Sequence, residues 1–301
     1  MRASTRIHSQ RRRGQRGFTL VEMIIVMVIT SVIAGTMVLF IRAPVQNYVD
    51  SAARADMSDV AELAMRRLSR ELRRALPNSL RVLPDGAGGY LLEFIPTTAG
   101  GRYLSVNDGY PSATYPALGP AGATVTADDP SFRMVGPLPA TAIAVDGSNY
   151  IVVYNLGAGY ANADAYAGND ISAINKVVPG TNVISVNAVG GNSVIADNSP
   201  TQRFNVVTSP VTYSCKPNAV TGKGTLTRYW NYGFKPTQTD PSTLGAASAL
   251  LADKVSACYF DATSMAYTHT GMVSLSISLR TPNSSDPDLR LFNQIHMDNT
   301  P

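Results

Sequence analysis

The sequence predicts an α+β fold: a long N-terminal helix, half transmembrane and half amphipathic, packed on a mostly antiparallel β head. Three observations lead there. Residues 18–41 form an apolar run with one charge, and residues 43–78 carry a helical pattern. After residue 79, short β-rich runs are punctuated by Gly, Pro, Asn and Asp. With 301 residues, 45% of them apolar and 15% charged, the chain has ample material for a core.

The first segment, residues 1–17, reads as a disposable leader. It holds Arg2, Arg6, Arg11, Arg12, Arg13 and Arg16 and no acid. The net charge of +4 and the pI near 9.1 come from these six residues. Without them, 19 bases face 21 acids and the body carries −2. A basic nucleic-acid-binding body is therefore not expected, and nucleic acid is not a partner on this reading.

The second segment, residues 18–42, contains the run Phe18–Ile41 with Glu22 as its single charge. About 20 apolar residues at ~1.5 Å each span the roughly 30 Å hydrocarbon layer. The arginine-rich side is predicted to stay in the cytoplasm and everything after Arg42 to lie outside. A removable secretory signal is the alternative, but three features oppose it. The run is too long for an ordinary h-region. Its end, Phe40-Ile41-Arg42-Ala43-Pro44, offers no small-x-small cleavage site. A carboxylate also sits four residues inside its start, where it costs a few kcal/mol and implies a function.

These residues carry a resemblance. Arg16-Gly17-Phe18-Thr19-Leu20-Val21-Glu22 resembles the class III signal of type IV prepilins and type II secretion pseudopilins. The resemblance implies cleavage by a prepilin peptidase between Gly17 and Phe18, on the cytoplasmic side, and N-methylation of Phe18. It also implies that Glu22 acts in subunit recruitment. The physical logic is that cleavage creates a cationic amine at Phe18, one helical turn from the Glu22 carboxylate. Both ions are poorly solvated there, and pairing with a neighbour's opposite charge relieves both penalties.

The third segment, residues 43–78, begins near Pro44, which is expected to kink or restart the helix. Apolar residues recur at Val45, Val49, Ala52/Ala53, Val60, Leu63/Ala64, Leu68 and Leu72, close to a period of about 3.6. Pro77-Asn78 is expected to end the helix after Leu76. Arg66, Arg67, Arg70, Arg73 and Arg74 crowd its C-terminal end, where cations suit the negative pole of the helix dipole. Phospholipid or nucleic-acid contact is the weaker reading of that run. A helix half in the membrane and half in a soluble head is the pilin layout.

The fourth segment, residues 79–301, is the β-rich head. Candidate strands are Leu91–Ile95, Tyr150–Tyr154, Val183–Val186, Phe204–Val207, Leu226–Trp230 and the chain's end from Leu291. In Met272–Leu279, apolar and serine residues alternate, the signature of a strand with one buried face. Residues 97–200, rich in Gly, Ala, Asn, Ser and Thr, read as an insertion of loops and short strands, with a small lobe as the alternative. The segments Leu92–Thr97, Gly100–Tyr103 and Gly224–Trp230, with the final strand, resemble MshO-type minor pilins of mannose-sensitive haemagglutinin (MSHA) pili. Those are themselves similar to J-type minor pseudopilins.

Cys215 and Cys258 lie 43 positions apart with no CxxC pair, and His8, His269 and His296 are scattered, so a zinc site is not expected. In an exported head one disulfide is the reading, with two separate buried thiols as the alternative. No G-x-S-x-G or HExxH is present. Thr221-Gly222-Lys223-Gly224-Thr225 superficially resembles a phosphate loop, but Pro217 stands where the pattern needs Gly. Asn162, Asp164, Asn169 and Asp170 offer oxygens for calcium. Tyr166 at the middle ligand position and the lack of a closing Glu exclude an EF-hand. Polar loops are the default there, an irregular calcium site the alternative. Asn283-Ser284-Ser285 is read as a turn rather than a glycosylation site.

The expected function is a structural subunit, not an enzyme, with no cofactor. It is a minor pilin or pseudopilin that helps assemble an MSHA-like pilus, placed near the tip because so large a head is hard to repeat along a shaft. Its partners would be other pilins, the inner membrane and the inner-membrane assembly platform. A J-type pseudopilin of type II secretion is the nearest alternative. A glycan-binding tip adhesin using Tyr103, Tyr110, Tyr115, Tyr160 and Tyr166 is another.

Overall fold

The computed structural model describes residues 17–108, 116–119, 122–124, 130–137, 143, 145–189, 199–262, 270–281 and 288–298. The leader arginines, His8, His269, Tyr110, Tyr115 and the Asn283 turn lie outside these residues. One helix, α1 (Leu20–Leu72), precedes an antiparallel β-rich head, an α+β arrangement consistent with a pilin-like fold. The chain divides into two compact units, residues 1–53 and 54–301.

The first unit is helical. From Leu20 to Ile41 the large apolar side chains among those described are exposed in the isolated chain, and the segment is long and apolar enough to cross a membrane. Its hydroxyls are satisfied internally: Thr30 Oγ1 donates to the Val26 carbonyl (2.7 Å) and Ser31 Oγ to that of Met27 (2.6 Å). Such back-bonding removes the cost of exposing a donor to lipid. Pro44 lies inside α1 and does not end it.

In the second unit the remainder of α1 packs on a seven-stranded sheet. The sheet runs β1 (Arg81–Pro84), β2 (Tyr90–Phe94), β11 (Val211–Lys216), β12 (Gly224–Trp230), β13 (Ala247–Asp261), β14 (Thr270–Leu279) and β15 (Leu289–Asp298), every pair antiparallel. Met57, Ala61, Ala64, Met65, Leu68 and Leu72 form the buried stripe, against Phe94, Tyr213, Leu275 and Ile277 among others. Their spacing of three and four places one face on the sheet. Of the expected pair Leu63/Ala64 it is Ala64 that turns inward, Leu63 being 72% exposed, and Met57, Ala61 and Met65 join the buried face beside the expected Leu68 and Leu72. The α1 helix also stops at Leu72, short of Leu76. There tertiary bonds replace helical ones: the Leu76 amide donates to Ile95 O (2.8 Å), the Thr97 amide to Arg74 O (2.7 Å), and Ala75 bridges Pro96.

Residues 97–207 hold more regular structure than loops. Strands β3 (Thr97–Tyr103), β6 (Ser131–Val135), β7 (Tyr150–Val152), β8 (Ile171–Val178), β9 (Val183–Ala188) and β10 (Arg203–Val207) close into a barrel in the order β10-β3-β6-β9-β8-β7. A separate two-stranded piece pairs β4 (Ala117–Gly119) with β5 (Gly122–Thr124). The barrel has its own core of Tyr103, Phe132, Ile151, Ile184, Val186 and Phe204, with Phe132 edge-on to Phe204 at 5.3 Å. The small residues follow from this packing. A Cβ on Gly101 would lie 2.9 Å from the Phe204 ring and 2.7 Å from the end of Met134.

The barrel and sheet meet through a third cluster that includes Leu76, Ile95, Val152, Tyr166, Ile171 and Val207. Two asparagines clamp that junction reciprocally. Asn78 Nδ2 donates to Asn155 O (2.9 Å), and Asn155 Nδ2 to Pro77 O (2.7 Å). Gly157, at φ +97°, approaches so closely that a Cβ would sit 2.8 Å from Asn78 O.

Candidate functional site

The N-terminal site is built from residues 17–22. Thr19 opens α1 as its cap: the Glu22 amide donates to Thr19 Oγ1 (3.3 Å) and to Thr19 O (3.1 Å). Threonine followed three residues later by glutamate is the capping-box pattern, a signal readable in the sequence that the pilin-type reading did not use. Glu22 therefore occupies the first turn, where a carboxylate meets the positive end of the helix dipole. Phe18, just before the cap, is 77% exposed.

Among the described residues Gly17 has no packing reason to be glycine. A Cβ there would meet nothing within 4 Å, and its φ lies outside the left-handed region. The fold tolerates alanine at this position, so a requirement for glycine has to come from outside the fold.

Cys215, on β11, and Cys258, on β13, are bonded, with Cα atoms 6.6 Å apart. Strand β12 begins at Gly224, paired with Val255, so past that point β13 is free to swing toward β11 and β2. Tyr90 of β2 meets Tyr259 and Phe260 of β13 at 5.9 and 6.0 Å between ring centres. The bond links strands that β12 separates along the rest of the sheet.

Glu93 and Glu71 in the head are each paired with arginine. Arg81 Nε donates to Glu93 Oε2 (2.7 Å), and its two terminal nitrogens donate to the carbonyls of Pro236 and Lys235. Tyr232 Oη donates to Glu93 Oε1 (2.9 Å) and shares a 2.6 Å hydrogen bond with Thr212. Burial, with the Glu93 charge beside it, pushes the Tyr232 phenol far above its ordinary range. On the other side of the sheet, Glu71 of α1 accepts from Arg67 (3.1 Å) and from Arg228 of β12 (2.9 Å). Half-burial alone would raise the Glu71 carboxyl; Arg228 and then Arg67 hold it below the ordinary value of 4.5. In both networks the groups point at each other and at backbone rather than into a cleft.

The remaining sequence candidates resolve into structure. Asp164 Oδ1 accepts from the amides of Tyr166 (3.0 Å) and Ala167 (3.3 Å), and Asn169 Nδ2 donates to Ala161 O. These oxygens and amides shape a turn, and no group of three or more metal-ligating side chains occurs among the described residues. The amides of Val220 and Thr221 are taken by Asn218 Oδ1, and that of Lys223 by Thr221 Oγ1, which leaves no phosphate cradle. Tyr103 and Tyr166 are core residues at 1% and 3% exposure, so they cannot face a glycan, while Tyr160 is exposed. His296 is exposed on β15.

Residues 12–38 match the prokaryotic N-terminal methylation motif. That match supports a type IV pilin- or pseudopilin-like subunit and implies a substrate of prepilin peptidase and pilus-type assembly machinery. No curated protein and no solved structure matches the chain.

Proposed function

We propose that this protein is a minor pilin or pseudopilin, cut after Gly17 and N-methylated at Phe18, that serves as a structural subunit rather than an enzyme. One observation carries the reading. Residues 20–38 of the methylation motif form an exposed apolar helix, with Glu22 in its first turn and Phe18 exposed just before its cap. The helix anchors the chain in the inner membrane, with the N-terminus cytoplasmic and the head periplasmic, and the disulfide suits that oxidising side. The head's two β lobes, sheet and barrel, make it bulky beside a shaft repeat, which favours a place near the tip of an MSHA-like pilus. The partners are other pilins and the inner-membrane assembly platform.

The test is the mature N-terminus, read by mass spectrometry of the protein recovered from membranes and from sheared filaments. A chain starting at N-methylated Phe18 is expected; a retained leader or another cut site overturns the proposal. Co-purified subunits distinguish a pilus from a secretion pseudopilus. The Glu22 charge is separable from the cap, which uses its backbone amide. Glu22→Gln keeps the capping geometry and removes the charge, so it abolishes incorporation as Glu22→Ala does if pairing with a neighbour's amine is the role. Thr19→Ala weakens the cap by about 1 kcal/mol and leaves incorporation intact.

A further inference from the structure

A cleft of about 420 Å³ lies where α1 ends, between the helix terminus, the starts of β3 and β10, and the end of β15. Three arginines line it: Arg73 and Arg74 just past the helix, and Arg203 on the barrel edge. All three are exposed, and among the described residues none of their guanidiniums has an ion-pair or hydrogen-bond partner. This sets them apart from Arg66, Arg67, Arg81, Arg228 and Arg280, each of which meets a carboxylate. Among the described residues no carboxylate lines the cleft; Thr98, Asn205 and Met297 do. The Thr97 hydroxyl in its wall is buried without a hydrogen-bond partner among the described residues.

Three unpaired cations in one concavity are unfavourable to each other until an anion arrives. The negative end of α1 offsets only about half a charge, so the cleft keeps a positive potential. Its volume falls in the roughly 300–1,000 Å³ range of ligand sites, several times what a single oxyanion fills. Ala75, Pro77 and Ala99, each partly exposed, supply apolar surface in its lining. Guanidinium forks suit carboxylates in a two-pronged geometry, and the apolar floor suits aliphatic side chains between them.

We propose that this cleft is a docking site for an acidic peptide segment of a partner protein, whose carboxylates are taken by Arg73, Arg74 and Arg203. The proposal goes beyond the filament-subunit reading and does not depend on it. In a body of net charge −2 the cleft is a local exception, which makes it selective for acidic segments.

The experiment uses the full chain in nonionic detergent micelles and a fluorescein-labelled, capped peptide of alternating leucine and glutamate, followed by anisotropy. Binding is expected to weaken as salt rises. The triple variant R73Q/R74Q/R203Q is expected to lose at least about tenfold in affinity. The equal-charge control K176Q/K223Q/K235Q, away from the cleft, stays within about twofold. Asn205→Asp is nearly isosteric and adds a carboxylate inside the cleft. It weakens binding at least about threefold with an unchanged melting temperature, which separates docking from folding. Equal losses in triple variant and control overturn the proposal, because any surface charge then suffices. So does equal binding of a peptide with glutamine in place of glutamate, or full displacement by millimolar inorganic phosphate, which would mark a small-anion site.

Discussion

The Arg81 guanidinium lies 3.6 Å from the centre of the Tyr166 ring while its Nε donates to Glu93 at 2.7 Å. Arg81 and Glu93 belong to the sheet; Tyr166 belongs to the loop that leads into barrel strand β8. Burial first, and then the Glu93 charge, push the Tyr166 phenol well above its ordinary value, so it remains a donor to Ser79 O (2.9 Å). One cation therefore ties the two lobes of the head together.

Removing that cation leaves Glu93, 2% exposed, with the Tyr232 hydroxyl as its side-chain partner among the described residues. Arg81→Met is expected to cost about 3–5 kcal/mol, the usual result of stranding one buried charge. The double variant R81M/E93L recovers most of this loss. Guanidinium unfolding of the full chain in detergent measures both.

Glu71 gives the head an acid limit. Its folded value is held below the ordinary 4.5, so its contribution to stability is complete above that pH and is lost as pH falls through the lower folded value. Asp288 behaves alike: burial opposes its charge, but Ser256 (2.6 Å) and Arg280 (2.5 Å) hold it down. Melting temperature should therefore decline below about pH 4.5. The decline should be shallower in Glu71→Gln, which is less stable than wild type at neutral pH but loses less on acidification.

Reducing the Cys215–Cys258 bond releases a constraint across a 43-residue separation. The chain-entropy model assigns such a loop about 4 kcal/mol. Cys215→Ser with Cys258→Ser should lower unfolding stability by about that amount, with no thiol labelling in the untreated native protein. Labelling of unreduced wild type would disprove the pairing.

Two leucines on one helix test which face is inside. Leu68 is fully buried against the sheet and Leu63 is 72% exposed. Leu68→Ala should cost about 2–5 kcal/mol, whereas Leu63→Ala should change stability by less than about 0.5 kcal/mol. Similar losses at the two sites would mean that the helix face is assigned wrongly.

The N-terminal half of the problem was legible in the residues alone. A lipid-spanning run and its charge asymmetry depend on local composition, and a capping pattern depends on residues three apart. No distant partner is needed to recognise Phe18, Glu22 or the apolar helix. Strand β14 was legible for a related reason, since alternation reports a buried face; even so Ser276 and Ser278, on its other face, are buried as well. There Ser276 Oγ accepts from Arg290 of the neighbouring strand (2.9 Å), a contact that alternation does not encode.

The barrel was not legible. Its strands are three to eight residues long, and Gly100-Gly101 in β3 carry no strand signal of their own, the Phe204 ring packing on Gly101. The helix end shows the same limit: Pro77 marks a stop, but the pairing of Ala75 with Pro96 moves that stop to Leu72. What the sequence determined by itself was the anchor, its motif and the helical period, because those follow from neighbours along the chain. The tertiary structure decided the barrel's closure, the buried Arg81–Glu93–Tyr166 junction and the gathering of Arg73, Arg74 and Arg203 around one cleft. Each depends on long-range contacts, such as that of Tyr166 with Ser79 across 87 positions, where packing and pairing rather than local preference choose the partner.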